Sequence, residues 1–229
     1  MAKEGVTAEA NGVPNLPRHT FSVVVALAYI AGFADGSTFV GADGIFCAHV
    51  TGNFVVLAAD FARHARADEW LKLATFPIFV AAVLASTWFH RRRRSEPLRD
   101  STRELLAFES VLFGAAAVTG FATTASTPGA PRVIIVALLV TAMGIQNAIH
   151  RLRPELAPMT TVMTGNVTTW LVERREPASA AKRRLLAAVV VAFALGCLCG
   201  GFGVARFGFA ALAVPTVVAV FVRSRLRNE

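Results

Sequence analysis

Met159-Thr160-Thr161-Val162-Met163-Thr164-Gly165-Asn166-Val167-Thr168-Thr169-Trp170-Leu171-Val172-Glu173 follows one apolar run, 132–150, and precedes another, 184–205. Clusters of basic residues bracket this region. The loop 91–103 carries Arg91, Arg92, Arg93, Arg94, Arg99 and Arg103, and the loop 174–184 carries Arg174, Arg175, Lys182, Arg183 and Arg184. Short loops so rich in Arg and Lys stay on the cytoplasmic side of a membrane. Between them lie the apolar runs 104–123 and 132–150 and the quoted stretch. Three crossings would put the two loops on opposite sides, so 159–173 must enter and leave by the same face. Its composition agrees, because five threonines, Gly165 and Asn166 make a poor continuous span. The stretch is therefore predicted to be re-entrant or a half-helix.

The rest of the chain is membrane protein by the same reasoning. Hydrophobic residues make up 55% of its 229 residues, and the mean hydropathy is +0.54, too apolar for an ordinary soluble domain. Runs near 21–38, 71–90, 104–123, 132–150, 184–205 and 207–222 have about the length a bilayer demands, roughly 17–25 residues. Pro215 interrupts the last one. Residues 1–20 read as a polar, disordered cytoplasmic tail and 223–229 as a basic cytoplasmic tail. The net charge of +8 is explained by loop arginines, with no aromatic-and-basic platform for nucleic acid. Cys47, Cys197 and Cys199 form no redox framework or metal site, and Cys197 and Cys199 flank small residues suited to close helix contact, Gly196, Gly200 and Gly201.

Thr164-Gly165-Asn166 has a twin in Thr51-Gly52-Asn53, within a second interrupted apolar stretch, 44–62. Upstream of each lies a related segment, Gly32-Phe33-Ala34-Asp35-Gly36 and Gly144-Ile145-Gln146-Asn147-Ala148. With one inserted residue Asp35 falls on Asn147 and Asn53 on Asn166. The sequence thus predicts an all-α, polytopic fold of about six transmembrane helices in two related repeats, 21–123 and 124–222. Each repeat has three full spans and one re-entrant or half-helix Thr-Gly-Asn segment, and three spans per repeat make the halves inverted. Eighteen of the twenty-three Lys and Arg residues then lie on the cytoplasmic side with both termini. If 44–62 instead crossed the membrane, the chain would have seven crossings and parallel repeats.

These motifs resemble the YoaK family of bacterial membrane proteins of unknown function. The resemblance rests on Gly32 to Asp35, Phe46 through Asn53, Met143 through Ala148 and Thr160 through Asn166, and covers roughly 20–222. It implies an inner-membrane protein with about six spans and supplies no activity. His49-Val50 departs from the pattern, since a Met commonly precedes the first Thr-Gly-Asn.

Polar residues inside a membrane need a partner or a task. Asp35 sits where glycines weaken its helix, and with freed carbonyls it suits a cation or proton; the structural alternative is a pair with His49. Asn53 and Asn166 suit the starts of half-helices, as N-terminal caps beside Thr51, Gly52, Thr164 and Gly165. Half-helices whose positive ends approach the midplane from opposite faces would favour an anion or neutral polar solute. Gln146 and Asn147 line the same path or bond helices together. Tyr29, His49 and Glu109 are weaker candidates; Glu109, five residues into its apolar run, is placed near the headgroups, and His150 at the interface beside Arg151. The favoured function is a secondary transporter or channel for a small solute or ion. A membrane scaffold or accessory subunit with purely structural polar pairs is the alternative, and an intramembrane enzyme comes last, since no catalytic constellation is present. Implied partners are the lipid bilayer, a small solute or ion and, through Gly and Ala faces, a second copy of the chain; no nucleic acid, cofactor or metal is expected.

Overall fold

A computed structural model describes residues 18–63, 70–93, 98–123, 129–172 and 180–225. Most of the N-terminal tail, part of the loop 174–184 and the last four residues lie outside that set. Among the described residues the fold is all-helical: α1 (Arg18–Gly41), α2 (Gly52–Ala62), α3 (Trp70–Arg92), α4 (Leu98–Phe121), α5 (Ala130–Leu152), α6 (Met163–Val172), α7 (Ala180–Phe207) and α8 (Ala213–Arg225). A 3-10 turn, Gly208–Leu212, joins α7 to α8.

Five helical runs are long and apolar enough to cross a membrane. The fifth is a 46-residue stretch, Ala180–Arg225, about 69 Å if it were straight, twice a bilayer core. It turns at Gly208, whose φ of +62° favours glycine. The reversal is visible in what each arm touches. Gly120 and Gly114 of α4 lie against Phe209 and Thr216 respectively, so α8 runs antiparallel to α4. The two apolar runs expected at 184–205 and 207–222 are the two arms of this hairpin.

Contacts at the helix ends fix the remaining directions. Arg93 pairs with Glu104, and His90 bonds Ser101, so α3 ends where α4 begins. Arg153, just past α5, reaches Thr102, so α5 ends there too. At the opposite end Arg132, near the start of α5, pairs with Asp43, just past α1. Thus α1 ends on the face where α3 begins, and the connection holding α2 returns to the face it left. α2 has only 11 residues, about 16 Å of helix, half of what a crossing needs. The same logic applies to the 10-residue α6, because α7 runs parallel to α1 and starts at the end where α5 finishes. Seven crossings are excluded by this arrangement.

Two extended backbone surfaces without side chains bring α1 and α7 together. A Cβ on Gly32 would strike the Phe193 carbonyl, one on Gly36 the Cys197 carbonyl, one on Gly196 the Tyr29 carbonyl, and one on Gly200 the Phe33 carbonyl. Four glycines on two facing stripes allow the backbones to meet, which is how helices associate where no water drives them. Around this pair the other principal contacts are α3 with α5, α4 with α5, α1 with α8, α2 with α3, α6 with α7 and α4 with α8. The set is preserved when α1 exchanges with α5, α2 with α6, α3 with α7 and α4 with α8.

Gly200→Ala should therefore lower the unfolding temperature in detergent, at a cost of about 2 kcal/mol or more from backbone overpacking. Gly114→Ala is the control, since its added methyl would meet only Thr216 at an ordinary 3.6 Å. Equal melting temperatures for the two variants would refute the close α1–α7 contact.

Candidate functional site

Where α1 ends, the chain runs without regular structure from Ile45 to Val50 before α2 begins. Peptide groups in such a segment lack helical partners, and at membrane depth water does not replace them. Asp35 supplies two of those partners. Its Oδ1 accepts from the Cys47 and Ala48 amides at 2.8 and 2.7 Å. Its Oδ2 lies 2.6 Å from His49 Nδ1. Asp35 is 3% exposed and the His49 side chain 36%, so the pair links a buried acid to a partly open imidazole. Phe193 of α7 packs on that ring edge-to-face, with centroids 5.3 Å apart.

Asn53 does the same work a few residues on. Its Oδ1 accepts from the Phe46 amide, and its Nδ2 donates to the Phe46 carbonyl and to Thr75 Oγ1, all at 2.8 Å. Thr75 in turn donates to the Lys72 carbonyl. Lys72 is itself buried, with its ammonium 2.7 Å from Asp60. Asn53 is the single buried residue of α2, and with the Asp60–Lys72 pair it fixes the half-helix to α3. The expected capping role is absent: Thr51 stands at the N-cap with no side-chain bond, and Asn53 reaches backward to the extended strand instead.

The second broken segment is built with the same spacings. Asn166, the single buried residue of α6, donates to the Met159 carbonyl at 2.8 Å, seven residues back, as Asn53 does to Phe46. Asn147 Oδ1 accepts from the Thr161 hydroxyl, fourteen residues on, where Asp35 holds His49, also fourteen on. The chemistry differs, however. Here Gln146 donates to Leu27 O of α1 at 3.0 Å and to Thr160 Oγ1 at 2.7 Å. Thr160 meets His150 Nε2 at 2.8 Å, and His150 Nδ1 meets the Leu156 carbonyl at 3.0 Å. A carbonyl only accepts, so Nδ1 carries the proton and Nε2 accepts from Thr160. Donation runs from Gln146 to Thr160, from Thr160 to His150, and from His150 to the Leu156 carbonyl.

Both clusters rest on α1. Leu27 and Asp35 are eight residues apart, about 12 Å along the helix. Asn53 lies beside Thr75 near the start of α3, and Asn166 beside Met159 just past α5, so they sit toward opposite ends of the bundle. Thr51, Thr164 and Gly165 are exposed; Tyr29 is partly buried beside Phe33. Glu109 is wholly buried within the protein. His150 is likewise buried within the Gln146 network. Sequence reasoning passed over Thr75, Thr160 and Thr161, because threonines in apolar helices usually bond their own preceding turn.

Among the described residues no group of three or more His, Cys, Asp or Glu could hold a metal ion. Residues 23–223 match the family described as "Protein of unknown function (DUF1275)". No curated protein and no solved structure matches the chain.

Asn53→Ala would leave the Phe46 amide and carbonyl unpaired, at about 2–4 kcal/mol for two buried backbone groups. Thr75→Val, which removes one of three bonds, should cost about 1 kcal/mol. Asn166→Ala should fall between them. Reversible unfolding in mixed micelles orders the three; a Thr75→Val cost equal to Asn53→Ala would show that the Phe46 bonds contribute little.

Proposed function

Because the chain belongs to the DUF1275 family, whose description assigns no activity, we propose a function from the geometry: a secondary transporter or channel for a small polar solute, in the bacterial inner membrane. The carrying observation is the pair of broken segments toward opposite ends of the bundle, built with the same spacings of seven and fourteen residues. Together with helix contacts that survive exchange of the two halves, this supports an inverted duplication. Inverted halves with discontinuous helices are the common architecture for alternating access. The likeness to the YoaK family belongs to this reading, as does a cytoplasmic location for the Arg93 end.

The polar residues divide into two roles on this reading. Asn53, Asn147 and Asn166 spend their amides on their own chain and shape the path without binding solute. The contact with solute falls to the Asp35–His49 pair, whose imidazole is the partly open member, and to Gln146, whose Oε1 has no protein partner. An oxygen acceptor and an imidazole suit a neutral polar solute or a small anion carrying a donor.

The complete pairing of Asn53 favours a second reading, a scaffold whose polar groups only join helices. Vesicles containing the purified protein separate the two. Stopped-flow light scattering with glycerol, urea and acetamide, and isotope uptake with bicarbonate, glycolate and lactate, anions that carry a hydroxyl donor, should show at least one probe moving faster than in protein-free vesicles. His49→Ala should return that rate toward the protein-free value with the melting temperature held. If every probe moves at the protein-free rate, the scaffold reading replaces transport.

A further inference from the structure

Glu109 is the acid that the two clusters leave unused. It lies on α4, eight residues past Ser101 in the apolar run Ser101–Phe121, about 12 Å from its start and 18 Å from its end. The residue is 0% exposed, and neither carboxyl oxygen has a hydrogen-bond partner.

Every helix packed on α4 keeps its charged and titratable groups at its ends. α3 has Lys72 at one end and His90, Arg91 and Arg92 at the other; α5 has Arg132 at one end and His150 and Arg151 at the other. α8 has Arg223 and Arg225 in its last turn, and the 3-10 turn has none. On α4 itself Arg103 and Glu104 stand more than one turn away, and Glu104 is engaged by Arg93. An ionised carboxylate at this depth without a partner costs several kcal/mol. The uncharged acid costs far less, so charge at this position is transient.

Two clefts flank the residue along α4. One, of about 480 Å³, opens at the Arg93 end and is lined by Ser86 of α3, Glu104, Leu105 and Phe108 of α4, and Thr141 of α5. Leu105 is one turn from Glu109, about 6 Å along the axis. The other, of about 640 Å³, opens at the opposite end beside Gly120, Arg206 and Gly208. Gly120 is eleven residues beyond Glu109, about 16 Å. Glu109 is in the wall of neither; along the helix axis it lies between the two, nearer the one that includes Arg93.

We propose that Glu109 is an intramembrane proton-binding site, loaded through the cleft between α3, α4 and α5, and that its protonation is coupled to solute movement. Its carboxylate takes up one proton to become the neutral acid and returns it unchanged, with no other bond altered. The coupling rests on the transporter reading above; the proton site does not.

Dicyclohexylcarbodiimide, which enters membranes and reacts with protonated carboxyl groups, tests the site in the full-length protein in vesicles. Peptide mass mapping should find the adduct on Glu109, absent in Glu109→Gln, and declining as pH is raised while the protein stays folded. No adduct on Glu109 at any such pH, or an adduct yield that pH does not change, overturns the proposal. Difference infrared spectra give a second readout: a protonated-carboxyl band lost at high pH in wild type and missing in Glu109→Gln. If Glu109→Gln does not fold, Glu109→Asp should retain both the band and the adduct. For any probe that moves in the vesicle assay, an imposed pH gradient should drive its accumulation in wild type and not in Glu109→Gln. Equal accumulation in both overturns the coupling. If no probe moves while the adduct forms, the transporter reading has failed and the proton site stands.

Discussion

Backbone that leaves helical geometry inside a bilayer has no solvent to bond, and most of this structure is organised around that constraint. Two segments break the helices, one before α2 and one before α6. Each is held by a side chain from the preceding long helix and by the asparagine of the following half-helix. Asp35 binds two consecutive amides, and Asn53 binds both polar groups of Phe46. Thr-Gly-Asn recurs because the same break must be closed twice. Only an amide carries the donor and acceptor that pair one residue's amide and carbonyl together. That double role explains an asparagine there better than capping does.

Residues spent on the backbone are no longer free for a solute. Asp35 has both oxygens engaged and Asn53 all its bonding groups within reach, so the most conspicuous polar motifs are the least available. Open capacity lies beside them, in the exposed part of His49, the unpartnered oxygen of Gln146 and the unpartnered carboxyl of Glu109. On the transporter reading, a path built from such groups would border the structural clusters. Rigid clusters next to a mobile path are what a pathway through a membrane bundle requires, since the peptide bonds must stay satisfied while the path opens.

Much of the architecture was legible in the sequence. Apolar runs gave the long helices, and the arginine loops required 159–173 to return to its own face. The length of α6 and the direction of α7 agree with that reading. The site was less legible, for identifiable reasons. Thr75 looks like any threonine in an apolar helix, since its hydroxyl donates to the Lys72 carbonyl of its own preceding turn and only the packing of α2 brings the Asn53 amide onto its oxygen; Thr160 stands in the irregular segment before α6. His150 stands next to Arg151, which suggested an interface, yet the chain beyond α5 folds back and buries it under Leu156. Hydropathy gave no sign that Glu109 is buried within the bundle with both carboxyl oxygens unpartnered.

The two halves share geometry and differ in charge. The motifs set an offset of 112 (147 − 35) or 113 (166 − 53) residues between them. On that offset Asp35 corresponds to Asn147, and Glu109 to Phe221 or Val222. Among the described residues the two buried acids, Asp35 and Glu109, thus belong to the first half, while the second satisfies its break with Asn147, Gln146, Thr160 and an imidazole donating to a carbonyl. On the transporter reading, polar residues that only closed the backbone would not need the costlier charged solution on one side, because a neutral one serves the other. Carboxyl groups confined to one half would then make the two faces of the membrane inequivalent to a proton. That asymmetry gives direction to a fold whose backbone plan has almost none.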